Sequence, residues 1–218
     1  MNKKCIYTTI IGGYDNLYTS IDNKKTDGWD YICFTDNKNL KSDFWKIIYV
    51  DKPLGWSDFK LSRSIKIEWY NWVGEYDVHV YKDANIIIKC DLDDFLSLKE
   101  DYPILIFKHW QRNCIYKEAR EVINLRRGNA IDIGIQVSNY LSEGYPHDNG
   151  LVECGIMIRE NNDENKRFSE AWWNELNKHT TRDQLSFNYI LWKNPINMKI
   201  TESQLRNNNM FLLRTHSR

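Results

Sequence analysis

Short apolar stretches rich in β-branched and aromatic residues alternate along the chain with longer amphipathic stretches. The short stretches predict strands, because Gly, Pro, Asn or Asp bounds most of them. The predicted strands are residues 5–11, 31–34, 45–50, 78–81 with a continuation at 86–89, 104–107 and 154–158. The longer stretches predict helices, which are residues 57–72, 91–98, 116–125, 131–141, 163–177 and 181–192. Ser57 and Thr181 are the expected N-caps of two of these helices, and the tail from Asn194 is predicted to be irregular.

This alternation of strands and helices predicts an α/β fold with a mainly parallel central sheet flanked by helices. The chain has 218 residues, which is the size of one domain, and no internal linker interrupts it. We therefore expect a single domain over residues 1–218. Sheets of this kind bind their ligands beyond the carboxyl ends of the strands.

Composition narrows the functional classes. Lys and Arg total 30, as do Asp and Glu, so no net field favours nucleic acid as a partner. No apolar stretch approaches the length of a membrane span, and the N-terminal apolar run is too short for a signal peptide. The five cysteines form no CxxC pair, which favours a reducing compartment and a cytoplasmic location. The sequence leaves the oligomeric state open.

Polar residues interrupt one predicted strand at Asp83 and Asn85, between a run of apolar residues and Ile86. Side chains two apart on an extended segment point the same way, so the two groups are expected to project together from a strand end. A divalent cation would offset the cost of a carboxylate placed there, and Mn²⁺ or Mg²⁺ prefers such oxygen ligands. The alternative is a β-turn opened by Asp83, with Asn85 bonded to the backbone.

Six blocks along the chain, taken in order, resemble the GT-A glycosyltransferases. The blocks are IYTTIIGGYDNL, DYICFTDN with LKSDFW, YDVHVYKDANIIIKCDLDDF, FKHWQRNCIYKEA, EGYPHDNGLVECGIMIREN and RDQLSFNYILWK. They are most similar to a glycosyltransferase-like family, formerly a domain of unknown function, with plant members linked to pectin and mucilage synthesis and many bacterial members. The last two blocks also resemble family 8 retaining glycosyltransferases.

The resemblance implies a GT-A domain that transfers a sugar, of hexosyl type, from a nucleotide diphosphate sugar to a glycan or other hydroxyl acceptor. A UDP-sugar is the expected donor. The implied donor-binding residues are Thr8, Thr9, Gly13, Tyr14, Asp36, Arg63, Lys66, Asp83, Ala84 and Asn85. The implied ligands of Mn²⁺ or Mg²⁺ are Asp83, Asn85 and His216, with Asp83 and Asn85 in the place of the family's Asp-x-Asp-type motif. The implied acceptor-side residues are His109, Arg112, His147 and Asn149, and the catalytic group is Asp183, Gln184 and Asp148.

Several alternatives stay open at this level. An inverting enzyme needs a carboxylate base, for which Asp148 or Asp183 is available, whereas a retaining enzyme needs none at that place. Asp36 could be an ordinary turn residue, and Asp183 could simply favour the positive end of its helix. A non-catalytic sugar- or nucleotide-binding module is the rival class. Nucleotidyltransferases rank low, because the loop after the first strand lacks a basic residue, and no P-loop motif occurs.

Overall fold

A seven-stranded central sheet and a separate two-stranded sheet form the framework of the protein, seen in a computed structural model that describes residues 2–180, 182–206 and 208–217. The strands are β1 (Lys4–Ile10), β2 (Trp29–Thr35), β3 (Lys46–Tyr49), β4 (Val78–Lys82), β5 (Ile86–Ile88), β6 (Ile104–Lys108), β7 (Val152–Glu160), β8 (Lys199–Thr201) and β9 (Phe211–Leu213). The helices are α1 (Asp58–Ile67), α2 (Trp69–Trp72), α3 (Leu92–Ser97), α4 (Ile115–Asn124), α5 (Ala130–Ser142), α6 (Asp163–Lys178) and α7 (Asp183–Lys193).

The central sheet has the order β3-β2-β1-β4-β7-β6-β8. Neighbouring strands are parallel except at β7, which runs antiparallel to both β4 and β6. This arrangement confirms the predicted α/β class with a mainly parallel sheet. The carboxyl ends of β1, β2, β4 and β6 therefore face the same edge of the sheet as the start of β7. We call this side the carboxyl edge.

Alternate residues of the strands build two apolar layers, one on each face of the sheet. On one face, Tyr7 and Tyr81 pack with Trp69 of α2, and α6 joins this layer through a hydrogen bond of 3.0 Å from Trp69 Nε1 to Ser169 Oγ. On the other face, Phe95 of α3 packs against Phe211 of β9. Helices and the small sheet thus cover both faces. Within the described residues, none of the helices has the length and apolar character needed to cross a bilayer.

Most predicted elements are present with small shifts of their ends. Ser57 caps α1 as predicted, because its Oγ accepts a hydrogen bond from the Lys60 amide at 3.1 Å. The single predicted helix over residues 57–72 is wrong, since Glu68, with ψ at 44°, leaves the helical region and separates α1 from α2. The predicted cap at Thr181 lies outside the described residues.

The tail after Asn194 is not wholly irregular, because it contains β8 and β9. β8 extends the central sheet beside β6, and β9 pairs antiparallel with β5. The expected continuation of β4 into β5 is also wrong. The chain turns between them, and β5 belongs to the two-stranded sheet.

Candidate functional site

The carboxyl edge brings together loops from four strands. The loop that begins at Ile11 follows β1, Asp36 follows β2, Asp83 follows β4, and His109 follows β6. The His109 amide donates to the Leu151 carbonyl at 2.8 Å, which joins the β6 loop to the segment that precedes β7. The topology therefore places the residues predicted for the donor and acceptor sides along one edge.

The loop after β1 is tightly bent and closely packed. Gly12 and Gly13 both have positive φ, at 64° and 59°, a conformation that favours glycine. The Gly12 amide donates to both carboxylate oxygens of Asp36, at 3.0 and 3.1 Å. A Cβ on Gly12 would lie 2.3 Å from Asp58 Oδ2. Asp36 thus holds the loop in place, and its carboxylate is engaged by the backbone.

The other residues predicted for the β1 side differ in accessibility. Tyr14 is 37% exposed, and its ring centroid lies 5.1 Å from that of His216. Thr9 is buried and its Oγ lies 2.9 Å from Ser62 Oγ. Thr8 is fully buried, and its hydroxyl has no hydrogen-bond partner in the described part of the chain. Tyr14 is therefore accessible at the surface, with its ring against those of Phe59 and His216, whereas the threonines lie beneath the surface.

Residues 83–86 form a turn. The Asp83 amide donates to the Gly155 carbonyl at 2.7 Å, and the Ile86 amide donates to the Asp83 carbonyl at 3.1 Å. The Asn85 side-chain amide donates to the Arg214 carbonyl at 2.7 Å. The prediction that residues 83–85 are extended is wrong, and the β-turn alternative describes this backbone. The last hydrogen bond between β4 and β7 is the one from the Asp83 amide, and the chain leaves the sheet after it.

The Asp83 carboxylate remains available at the edge. Its side chain is 33% exposed, whereas Ala84 beside it is buried. Tyr81 Oη donates to Asp83 Oδ1 at 2.8 Å, and Lys66 Nζ lies 3.9 Å from the same oxygen. A Cβ on Gly155 would lie 3.3 Å from Asp83 Oδ2, so the glycine leaves room for this side chain.

A buried ion cluster links α1 to α7 behind Asp83. Lys66 Nζ donates to Asp183 Oδ2, and Arg63 Nε lies 3.5 Å from Asp183 Oδ1. Burial alone would raise the pKa of Asp183, but Arg63 and Lys66 outweigh it and hold that pKa well below the usual range. Asp183 is therefore the countercharge of two cations. Its neighbour Gln184 donates to the Val152 carbonyl at 3.2 Å, which ties α7 to β7.

The residues predicted for the acceptor side lie in two separate groups. In the first, His109 Nδ1 accepts from the Arg112 amide at 3.0 Å, and Arg112 Nε donates to Glu118 Oε2 at 2.6 Å. Burial, followed by the charge of Arg112, lowers the pKa of His109 to about 4. His109 is therefore a neutral imidazole near pH 7.

The second acceptor-side group lies against α4. The ring of His147 is 4.4 Å from that of Tyr116, and Asp148 Oδ1 lies 2.6 Å from Lys117 Nζ. Burial raises the pKa of Tyr145 to about 12, an effect that the neighbouring Asn149 side chain partly opposes. The structure thus brings His147, Asp148 and Asn149 together, in a loop joined to His109 at the end of β6.

The residues predicted to bind metal meet only in part. His216 Nδ1 lies 2.9 Å from Asp15 Oδ2, and this bond raises the pKa of His216, with burial opposing it and Asp83 adding a smaller increase. His216 is thus within electrostatic range of Asp83, while the Asn85 amide is bonded to the tail. In the ranges that the structure describes, no group of three His, Cys, Asp or Glu side chains is arranged around a metal position.

Lys82, the last residue of β4, belongs to the site but is not among the residues predicted from the sequence. Its side chain is buried, and its Nζ lies 3.3 Å from the Asp83 carbonyl and 5.0 Å from the centre of the Trp45 ring. Burial lowers the pKa of Lys82 to about 8. A lysine inside an apolar strand, directly before the strand-end aspartate, is a signal that could have identified it.

These observations define an α/β protein with a candidate ligand site at the carboxyl edge, where a glycine loop, an accessible aspartate and buried cations meet. The model of the family described as TOD1/MUCI70, glycosyltransferase-like domain, matches residues 16–216, and the chain belongs to this family. The resemblance drawn from the six sequence blocks is thereby confirmed. The match begins after the glycine loop of β1.

A solved structure supports the fold. The apo structure of WbbM, a bifunctional glycosyltransferase, is similar with a TM-score of 0.53 at 14% sequence identity. The similarity covers 88% of this chain and 38% of that one, so the chain spans little more than a third of the WbbM structure. At this identity the likeness bears on the fold alone. Comparison with curated proteins gives no match.

Proposed function

We propose that this protein transfers a glycosyl group from a nucleotide diphosphate sugar to the hydroxyl of a glycan or other acceptor. Membership of a glycosyltransferase-like family supports the reaction class. The observation that carries the proposal is the position of Asp83. The Asp83 carboxylate is partly exposed at the carboxyl edge, and Lys66 Nζ lies 3.9 Å from its Oδ1. Lys82 Nζ is bonded to the main-chain carbonyl of Asp83. We propose a UDP-sugar as the donor and a hexosyl group as the cargo.

The buried cations have a chemical use in this reaction. As the sugar leaves, negative charge accumulates on the diphosphate, and fixed positive groups stabilise that charge. Lys66 and Arg63 are held in place by Asp183, so they need little rearrangement when the charge develops. Asp183 is accordingly a positioning residue in this proposal, because its carboxylate is committed to the two cations.

A Mn²⁺ or Mg²⁺ ion is part of the proposal. Asp83 and His216 are a carboxylate and an imidazole at the same edge, and Asn85 would contribute its amide oxygen. Phosphate oxygens and water usually complete such shells when the protein supplies few ligands. The bound ion would offset diphosphate charge. His216 would have to exchange its bond to Asp15 for the ion.

The stereochemical outcome of the transfer, inverting or retaining, depends on the acceptor side of the site. For an inverting reaction, Asp148 is the remaining base among the predicted carboxylates, and its pairing with Lys117 would have to open. For a retaining reaction no base is needed there. His109 and Arg112 lie beside the loop that contains Asp148, and we propose that this side of the carboxyl edge faces the acceptor.

A donor panel tests the proposal. The purified chain is incubated with Mn²⁺ and a set of UDP- and GDP-sugars, and the released nucleoside diphosphate is measured. We expect one donor to be turned over, and Asp83→Ala to abolish turnover while circular dichroism stays that of the wild type. Asp101→Ala removes an exposed aspartate next to the opposite end of the sheet and is the matched control. A wild-type rate in Asp83→Ala at saturating donor contradicts the role of Asp83.

A non-catalytic nucleotide-sugar or carbohydrate-binding module is the second candidate. The presence of Asn85 where many GT-A enzymes have a carboxylate favours it, as does the bond of Asn85 to the tail. Calorimetric titration with the same sugar nucleotides separates the two functions. Binding without nucleotide release, unaffected by Asp83→Ala, identifies the module.

A further inference from the structure

We propose that Glu153, Trp110 and Arg206 form a subsite for a sugar ring of the acceptor, which we call the Trp110 subsite. Family membership and the sequence motifs assign none of the three residues a role. The inference rests on the proposed function, because it names the part of the carboxyl edge that receives the acceptor. It also commits to a substrate class, a saccharide.

Glu153 is a buried carboxylate that lacks a full set of partners. Its side chain is 8% exposed, and Oε2 has no hydrogen-bond partner among the residues that the structure describes. Oε1 lies 3.4 Å from Arg206 Nε, which is longer than a normal hydrogen bond. Burial raises the pKa of Glu153, while Arg206 and the Trp110 amide oppose this increase. Buried carboxylates in this state are costly, and a hydroxyl donor would remove the deficit.

Trp110 and Arg206 lie next to this carboxylate at the surface. The Trp110 side chain follows β6 and is 39% exposed, and the Arg206 guanidinium lies 5.2 Å from the centre of its ring. The Arg206 side chain is itself half exposed. A flat aromatic face, a guanidinium and a carboxylate match the C–H face and hydroxyl groups of a sugar.

The position of the subsite suits an acceptor. Gly155 lies two residues after Glu153 on β7 and accepts the hydrogen bond of the Asp83 amide. At about 3.3 Å per residue, Glu153 and Gly155 are separated by roughly 7 Å along the strand. The pairing of β6 with β7 shifts between Ile106 and Phe107, and Phe107 then faces Glu153. This irregularity lies toward the carboxyl end of β6, at the carboxyl edge.

Access to Glu153 requires a small movement. The carboxylate is closed to solvent in this state, and Arg206 is the side chain bonded to it by a long contact. A sugar that stacks on Trp110 would displace the guanidinium from the ring and present a hydroxyl to Oε2. Arg206 thus covers the Trp110 ring in the absence of an acceptor, and its guanidinium lies beside the bound sugar once the ring is occupied.

Kinetics of two variants test the subsite with the donor identified by the panel and p-nitrophenyl glycosides as acceptor probes. We expect Trp110→Ala and Glu153→Gln each to raise the acceptor KM by about tenfold, the effect of losing one good contact. The donor KM should stay unchanged, because neither side chain is proposed to contact the donor. Trp192→Ala, at 38% exposure, and Glu202→Gln, an exposed carboxylate bonded to Lys108 beside β6, are the matched controls.

The outcomes separate this inference from the proposed function. Donor turnover with an unchanged acceptor KM in both variants overturns the subsite and leaves the proposed function standing. Absence of donor turnover in the wild type refutes the proposed function. In that case the wild-type protein is titrated with lactose, cellobiose and xylobiose, and the indole N–H resonance of Trp110 is followed by NMR. This resonance is identified by its absence from the spectrum of Trp110→Phe. A shift that Glu153→Gln weakens supports the subsite, and no shift with any of the sugars overturns it.

Discussion

Asp183 pairs with two cations, Lys66 and Arg63, in a largely buried region. The side chains of Asp183 and Lys66 are 5% and 1% exposed, and Arg63 is 16% exposed. Removing one member of a buried ion cluster leaves uncompensated charge. We predict that Asp183→Asn lowers the free energy of unfolding by about 3–5 kcal/mol, measured by urea unfolding at neutral pH.

A control and a pH series accompany this prediction. Asp148→Asn removes the partner of Lys117 in an exposed pair and should change stability little. Because the folded-state pKa of Asp183 lies below the ordinary value of 3.8, its contribution is fully present above pH 3.8 and is lost as pH falls through the depressed pKa. The stability gap between wild type and Asp183→Asn should therefore narrow in acid. A gap independent of pH would show that the carboxylate charge is not what stabilises the cluster.

Single residues were predictable where the sequence alone isolates them. Asp83 interrupts an apolar run, and it lies at the end of β4 as expected. The role of Glu153 depends on Arg206, which reaches it from the tail. Because this partner is distant in sequence, the pattern around Glu153 reads as an ordinary strand.

The loop after β1 makes a prediction for a structural element. Gly12 and Gly28 both have positive φ, but only at Gly12 would a Cβ meet another atom within 4 Å, namely Asp58 Oδ2 at 2.3 Å. Gly28→Ala should cost about 1–2 kcal/mol of stability from backbone conformation alone. Gly12→Ala should cost more and should raise the donor KM, because Asp36 and the loop shift together. Urea unfolding and donor kinetics measure the two effects, and equal behaviour of the variants contradicts the packing role of Gly12.

The C-terminal segment after β9 spans two of the loops at the carboxyl edge. Arg214 exchanges hydrogen bonds with Asn85, and the His216 ring and Ser217 amide contact Asp15 in the β1 loop. We predict that a chain ended after Leu213 keeps β9 and its stability but binds UDP more weakly by calorimetry. His216→Ala should reproduce part of that loss. If the shortened chain binds UDP with unchanged affinity, the C-terminal segment is not part of the proposed donor site.

Element prediction succeeded where a segment carries its own signal. Ser57 and Asp91 cap α1 and α3 because each presents an oxygen to the first turn of the helix. The strands β8 and β9 have three residues each, too few to show a periodicity. They exist because β6 and β5 offer open edges, and a partner strand distant in sequence leaves no local pattern.

At the scale of the whole molecule, the site is a product of strand order. The sequence predicts the class of sheet but not that β7 enters antiparallel between β4 and β6. That reversal brings the start of β7, with Glu153 and Gly155, to the same edge as Asp83. Asp83, proposed for the donor side, and Glu153, proposed for the acceptor side, lie far apart in the sequence. Strand pairing, and not local composition, brings them to the same edge.

Ligand binding at such an edge should stabilise the entire fold, since the unfolded chain has no site. A ligand present at a hundred times its Kd adds about 2.7 kcal/mol to the free energy of unfolding. For a chain of 218 residues, each kcal/mol raises the melting temperature by about 2–4 °C. We predict that UDP with Mn²⁺ raises the melting temperature by roughly 5–10 °C, measured by differential scanning calorimetry. Asp83→Ala should lose the part of this shift that requires Mn²⁺, and EDTA should have the same effect on the wild type. If UDP raises the melting temperature of the wild type and of Asp83→Ala equally, with and without Mn²⁺, the nucleotide binds away from Asp83.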